Sequence, residues 1–204
     1  MSTPTDEYFK PNDLFDDMVS TLSQEMTDLG PANLPDASVS IAIGWITASA
    51  SLKNGKLDGL ANMTRQCDVC VGWESGFPGS AFLIGTLRLT DLKIDYTAKA
   101  SGVSKDVSGT VDYVDFEIRA DFRNCNPGRF PLTQCNITIG HIDVSIGNGW
   151  LNTWADNILN KATTKVSNYL INDFEAELCT AIDDHLNNDS DLVLFCGDMT
   201  VALG

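Results

Sequence analysis

The chain is short of histidine and of positive charge. It has two histidines, and 13 Lys and Arg against 28 Asp and Glu, for a formal net charge of -15. So little basic charge excludes nucleic acid as a partner and disfavours anionic membrane surfaces, since both recruit basic patches. Two histidines also leave few ways to complete a zinc site. The sequence contains no Gly-x-Ser-x-Gly, no His-Glu-x-x-His, no phosphate loop and no Gly-x-Gly-x-x-Gly. No apolar run is long enough to cross a bilayer. These absences point to a non-enzyme with no cofactor, no metal and no stable membrane insertion. Asp183-Asp184-His185 could pair a base with its orienter, but neighbours on a helix point in different directions, so it reads as a solvated helix end. Asp91, Asp95, Asp112 and Asp115 lie scattered on strand patterns, unlike the dense loops that hold calcium.

Apolar material is ample. Hydrophobic residues make up 43% and charged residues 20% of 204 positions, enough for a sizeable core and too apolar for disorder. Six cysteines, an even number, suggest three disulfides and an oxidising compartment. Sequons at Asn62, Asn136 and Asn188 point the same way. The first seven residues are polar and do not read as a signal peptide. We therefore expect a mature, secreted, extracellular glycoprotein whose leader has been replaced by Met1. Residues 1–10 should be flexible and residues 11–204 a single domain. The strong net charge favours a monomer or weak dimer.

The hydrophobic pattern reads helix, sheet, long helix, strand. Leu14, Phe15, Met18, Val19, Leu22 and Met26 mark the apolar face of a helix over 12–29, ended by Gly30-Pro31. Period-two alternation marks strands over 38–47, 80–98, 107–122 and 136–146, with Ser101–Lys105 as a turn. A weaker strand over 53–63 follows Asn54-Gly55, a hairpin signal. Short closing strands are expected at 192–195 and 199–203. Every fourth residue from Trp150 is apolar: Trp150, Trp154, Ile158, Ala162, Val166, Leu170, Phe174, Leu178, Ile182 and Leu186. A helix of that length spans roughly 55 Å, so it must be partnered along its length. On a straight helix a four-residue row drifts about 40° per step, which suits a partner that twists around the helix, as a coiled sheet does. The expected fold is α+β: a strongly curved antiparallel sheet wrapped around one long C-terminal helix and a shorter N-terminal one.

Such a body leaves an elongated apolar groove unless side chains fill it. The candidate lining is Phe15, Met18, Leu22, Trp45, Phe82, Leu87, Phe116, Ile118, Trp154, Ile158, Leu170 and Phe174, a large, soft set of the kind that surrounds apolar ligands. From pattern alone these residues read as a solid core.

Gly149-Trp150-Leu151 opening the long helix, with Glu177-Leu178-Cys179 near its end and Cys135 on the preceding strand, resembles the bactericidal/permeability-increasing and lipopolysaccharide-binding protein family. The whole layout is similar to single-domain members of that tubular lipid-binding superfamily, especially the group 7 mite allergens. The resemblance implies a half-barrel roll around the helix, a Cys135–Cys179 disulfide, and a real groove holding a lipid or other hydrophobic small molecule. Four extra cysteines, the lack of a basic tip and the lack of a close N-terminal cysteine pair argue against lipopolysaccharide neutralisation and hormone carriage. Cys67, Cys70, Cys125 and Cys196 then leave three connectivities open, and we lean to Cys67–Cys70 with Cys125–Cys196.

Overall fold

The computed structural model describes residues 10–43, 46–74, 80–121, 131–147 and 152–188. Helix α1 spans Pro11–Leu29. Proline suits its first turn, where the missing N–H has no helical partner to lose. Leu14, Phe15, Met18, Val19 and Leu22 are its buried stripe. Gly30, at φ 70, ends it, its N–H donating to the Met26 and Thr27 carbonyls.

Eleven described strands follow: β1 (Ala32–Leu34), β2 (Ala37–Ile43), β3 (Ile46–Asp58), β4 (Met63–Arg65), β5 (Cys70–Glu74), β6 (Ser80–Leu89), β7 (Leu92–Ala100), β8 (Val103–Val111), β9 (Val114–Asp121), β10 (Leu132–Ile139) and β11 (Ile142–Ile146). All pairings among them are antiparallel. The first sheet runs β3-β7-β8-β11, with β1 and β2 sharing the far side of β3; the second runs β10-β9-β6, with β4 and β5 sharing the far side of β6.

The two sheets are one curled surface broken along a line. Four strand pairs cross that line in turn: β3 into β4, β6 into β7, β8 into β9 and β10 into β11. Pairing carries across without a slip: Leu89 faces Val114 on one side of the break and Leu92 faces Val111 on the other. Likewise Ile139 faces Val114 and Ile142 faces Val111. Bonds at the break stitch it together, Thr90 N–H to Asn62 O at 3.1 Å and Asp112 N–H to His141 O at 2.9 Å. The backbone needs special residues there. Gly59 has φ 92, and a Cβ on it would lie 2.6 Å from the Asp91 carbonyl; Asp91 itself has φ 56.

Several expected boundaries change. The strands expected over 80–98, 107–122 and 136–146 are each cut at this break, because a sheet curled this tightly must bend its strands somewhere. The strand expected over 38–47 reverses, since Ile43 pairs with Ile46. Asn54-Gly55 is not a hairpin turn. It lies inside β3 with Asn54 at φ 56, and the β3–β7 register shifts between Lys53 and Lys56. With β7 alongside, left-handed Asn54 and Gly55 form a bulge rather than a turn. The tight turn is Ser101-Gly102, both at positive φ, as a two-residue hairpin requires.

The long helix comprises α2 (Asn152–Tyr169), a π-helical turn (Leu170–Phe174) and α3 (Glu175–Asn188). The four-residue row from Ile158 through Ala162, Val166, Leu170, Phe174, Leu178 and Ile182 to Leu186 is buried throughout. On a plain α-helix that row would circle away from the sheet. The π turn takes in one extra residue and turns the face back by roughly one residue's rotation, ~100°. The expected steady drift is therefore interrupted midway. Helix α2 packs on the first sheet, touching β1, β2, β3, β7 and β11, while α3 packs on β10 and α1, and α1 packs on β4 and β6. The fold is thus α+β, a curled antiparallel sheet around one long and one short helix. The closing strands expected at 192–195 and 199–203, and the expected flexible N-terminus apart from residue 10, lie outside the described residues.

Candidate functional site

Nine of the twelve candidate lining residues meet in one interior. Phe15, Met18, Leu22, Leu87, Phe116, Ile118, Ile158, Leu170 and Phe174 are all between 0% and 1% exposed. They interlock. Phe116 and Phe174 meet edge to face, with ring centroids 5.9 Å apart. Phe15 of α1 rests on Gly85, where any Cβ would collide with its ring. Phe82 is elsewhere. Along β6 the inward positions are 83, 85, 87 and 89, so Phe82 faces outward. It lies across from Gly72, with the Arg119 guanidinium 4.3 Å from its ring centroid. Alternation alone could not say which phase of β6 faces in. Trp45 and the side chain of Trp154 lie outside the described residues.

A continuous row of half-buried apolar side chains runs along the last long strand. Leu132, Ile137, Ile139, Ile142, Val144 and Ile146 point inward but stay half-buried. Each belongs to β10 or β11, whose outer edges no described strand pairs. On the inner side β10 meets α3 and β11 meets α2. The result, among the described residues, is an apolar seam between this edge of the roll and the long helix. Its composition was visible in the sequence; its being an edge was not, because that depends on strand order.

The two ends of the seam differ in charge. At the α3 end, Pro131, Leu132, Cys179, Thr180, Asp183, Asp184, Asn187 and Asn188 line an open cleft of ≈ 680 Å³. Asp183 Oδ1 accepts the Leu132 N–H at 2.9 Å there, which fixes the start of β10 to α3. The Cys135–Cys179 disulfide bridges the same end, with a Cα–Cα distance of 6.1 Å, as the resemblance implied. His185 takes no part: among the described residues its buried Nε2 has no hydrogen-bond partner. At the other end, beyond Ile146, the inward side chain is Lys105.

No family model and no curated protein matches the chain. Several solved structures are similar to it, among them the following two. One is the crystal structure of lipopolysaccharide binding protein, at 17% identity and a TM-score of 0.47, covering 87% of this chain and 38% of that one. The other is Takeout 1 of Epiphyas postvittana, at 12% identity and a TM-score of 0.34, covering 86% of this chain and 88% of that one.

A second cleft, of ≈ 560 Å³, lies where α1 meets β4 and is lined by Asp16, Val19, Met63, Thr64, Arg65, Gln66, Cys67 and Asp68. Its polar groups bind one another. Arg65 pairs with Asp16 at 2.9 Å and with Asp68 at 3.2 Å. Asn12 Oδ1 accepts the Val69 N–H at 2.7 Å. The Arg65 hydrogen bond holds the Asp16 carboxyl below the usual carboxylate range. This network anchors α1 to the sheet. Cys67 borders it; Cys67 and Cys70 are both exposed free thiols, which corrects the expected Cys67–Cys70 pairing. The bonds from Arg65 and Asn12 hold residues 67–69 against α1 rather than folding them into the tight loop that such a bridge needs. Cys125 and Cys196 lie outside the described residues. Among the described residues no group of three or more His, Cys, Asp or Glu is placed to hold a metal ion. Asn62, Asn136 and Asn188 are all exposed.

Proposed function

We propose that the chain is a secreted, non-enzymatic carrier for hydrophobic molecules (fatty acids, phospholipids, terpenoids or pigments), related to the tubular lipid-binding proteins that its sequence resembles, and glycosylated at Asn62, Asn136 and Asn188. One observation carries this reading: the half-buried apolar seam along β10 and β11, continuous with a predominantly apolar interior. A ligand that parts α2 from β11 exchanges exposed apolar surface for buried surface at about 25 cal/mol per Å². Chain length and shape then govern affinity more than headgroup. The interior residues named above are reached only as the seam opens.

The test is uptake of a fluorescent fatty acid by the full chain. Val144→Trp fills the seam and should weaken binding tenfold or more. Ser145→Trp, on the outward face of the same strand, should leave it unchanged. Equal binding by both variants, with the fold checked by circular dichroism, would overturn the seam as the site. A second reading rests on the closed interior: the nine residues at 0–1% exposure make a filled core, and the protein would act at interfaces or in defence without a stoichiometric ligand. It predicts no uptake by the unmodified chain and adsorption at an air–water interface.

A further inference from the structure

The inner face of the first sheet is apolar with two exceptions among the described side chains of β3, β7, β8 and β11: Tyr96 and Lys105. Tyr96 is buried, and its hydroxyl donates to the Pro35 carbonyl at 3.4 Å. Lys105 is different. Its Cα partner is Ala98, which is fully buried, so both side chains point to the inner face. The register confirms it: Ser104 and Asp106 on either side are exposed, Lys105 is half-buried, and Val107 two residues on is buried. Its stem passes Gly147, where a Cβ would sit 3.9 Å from Lys105 Cδ. Among the described residues no carboxylate pairs with it. An inward, unpaired cation is unexpected in a chain of net charge -15.

Lys105 stands at the mouth of the seam. Val107 pairs with Ile146, the last seam residue, and Lys105 lies one inward step beyond. The opposite end carries Asp183 and Asp184. The seam therefore has a polarity, cationic at the α2–β11 end and anionic at the α3 end. On the reading given above, we propose that the seam takes single-chain amphiphiles with a carboxylate head, that Lys105 binds the carboxylate, and that the tail runs from there toward the disulfide.

The probe pair is oleate and methyl oleate, which share a chain and differ in charge. Isothermal titration of the full chain should show oleate binding about tenfold more tightly than the ester. Lys105→Met keeps the apolar stem and should bring oleate down to the ester's affinity while leaving the ester unchanged. Lys105→Arg should keep the preference, and Lys99→Met, on the outer face of the same hairpin, should not alter it. Equal affinity for both probes in the unmodified chain, or equal loss of both in Lys105→Met, would overturn the assignment and leave Lys105 as a side chain that only shields apolar surface. Binding of neither probe by any variant would overturn the carrier reading itself, and this assignment with it.

Discussion

The part of the roll under α1 and α3 and the part under α2 belong to one curled sheet, yet they are filled differently. Under α1 and α3 the inner positions are Leu83, Leu87, Leu89, Phe116 and Ile118, all fully buried. Two helices cover them, a disulfide ties α3 to β10, and Arg65–Asp16 anchors α1. On the outer face Arg88 forks onto Asp115, at 2.6 and 2.7 Å, and sits over the Tyr113 ring. Under α2 the inner positions toward the open end are Ala48, Ala50, Ala98 and Ala100, and one helix covers them. Large interlocked side chains resist rearrangement, whereas small ones leave the backbone and a single helix freer to shift. The comparison places a rigid frame at one end and an adjustable mouth at the other. The β11 half of the seam and the lysine lie on the adjustable side, while its β10 half lies against the rigid frame.

A core truncation in one half set against a seam truncation in the other should separate the two most strongly. Phe116→Ala removes a fully buried ring and should cost about 3–5 kcal/mol in urea denaturation, while Ile146→Val in the seam should cost about 0.5–1.5 kcal/mol. Equal costs would mean that the α2 half is packed as tightly as the other. Next in size is the disulfide. Its cysteines are 44 residues apart, so replacing both with serine should cost about 3–4 kcal/mol in the chain-entropy model. Hydrogen exchange should then rise in α3 and β10 and stay unchanged in α2 and β11; a uniform rise would erase the division.

The smallest effects are set by pH and have opposite signs in the two halves. The Asp16 carboxyl is held low by Arg65. Its contribution is present above the unfolded value, about pH 4, and fades as pH falls further. Acid should loosen α1 first, and Arg65→Gln should remove that dependence. Burial, helped by the Asp36 charge, raises the Tyr96 phenol to about 12. Its contribution is intact below pH of about 10 and is lost as pH climbs toward 12. Alkali should loosen the first-sheet half, and Tyr96→Phe should abolish this. Amide exchange read against pH in each half checks both.

Much of the body was legible because its signals are local. The α1 stripe and its Gly30 stop, the period-two strands and the four-residue row all follow from side-chain periodicity, and the structure places the described part of each on the core. The places that failed are those where two segments decide together. Asn54-Gly55 has the chemistry of a hairpin turn and became a bulge because β7 pairs through it. Phe82 fits a core list and faces outward because the phase of β6 is set by β9. The break has a glycine at two of its four crossings, Gly59 and Gly140, and no strong breaker at Thr90-Asp91 or Asp112-Tyr113. It exists because four neighbouring strands bend at one level.

The sequence by itself determined that a long apolar helix row would be buried, since ten apolar residues at one spacing need an apolar partner along most of the helix, and the drift of that row favoured a curved sheet as the partner. It also fixed the acidic, chemically sparse character of the surface. Only the tertiary structure decided which strand is the edge, that the helix resets its face by a π turn, and that Lys105 points inward beside that edge. These depend on strand order, register and the level at which strands bend, and none of the three is encoded in any one stretch of chain.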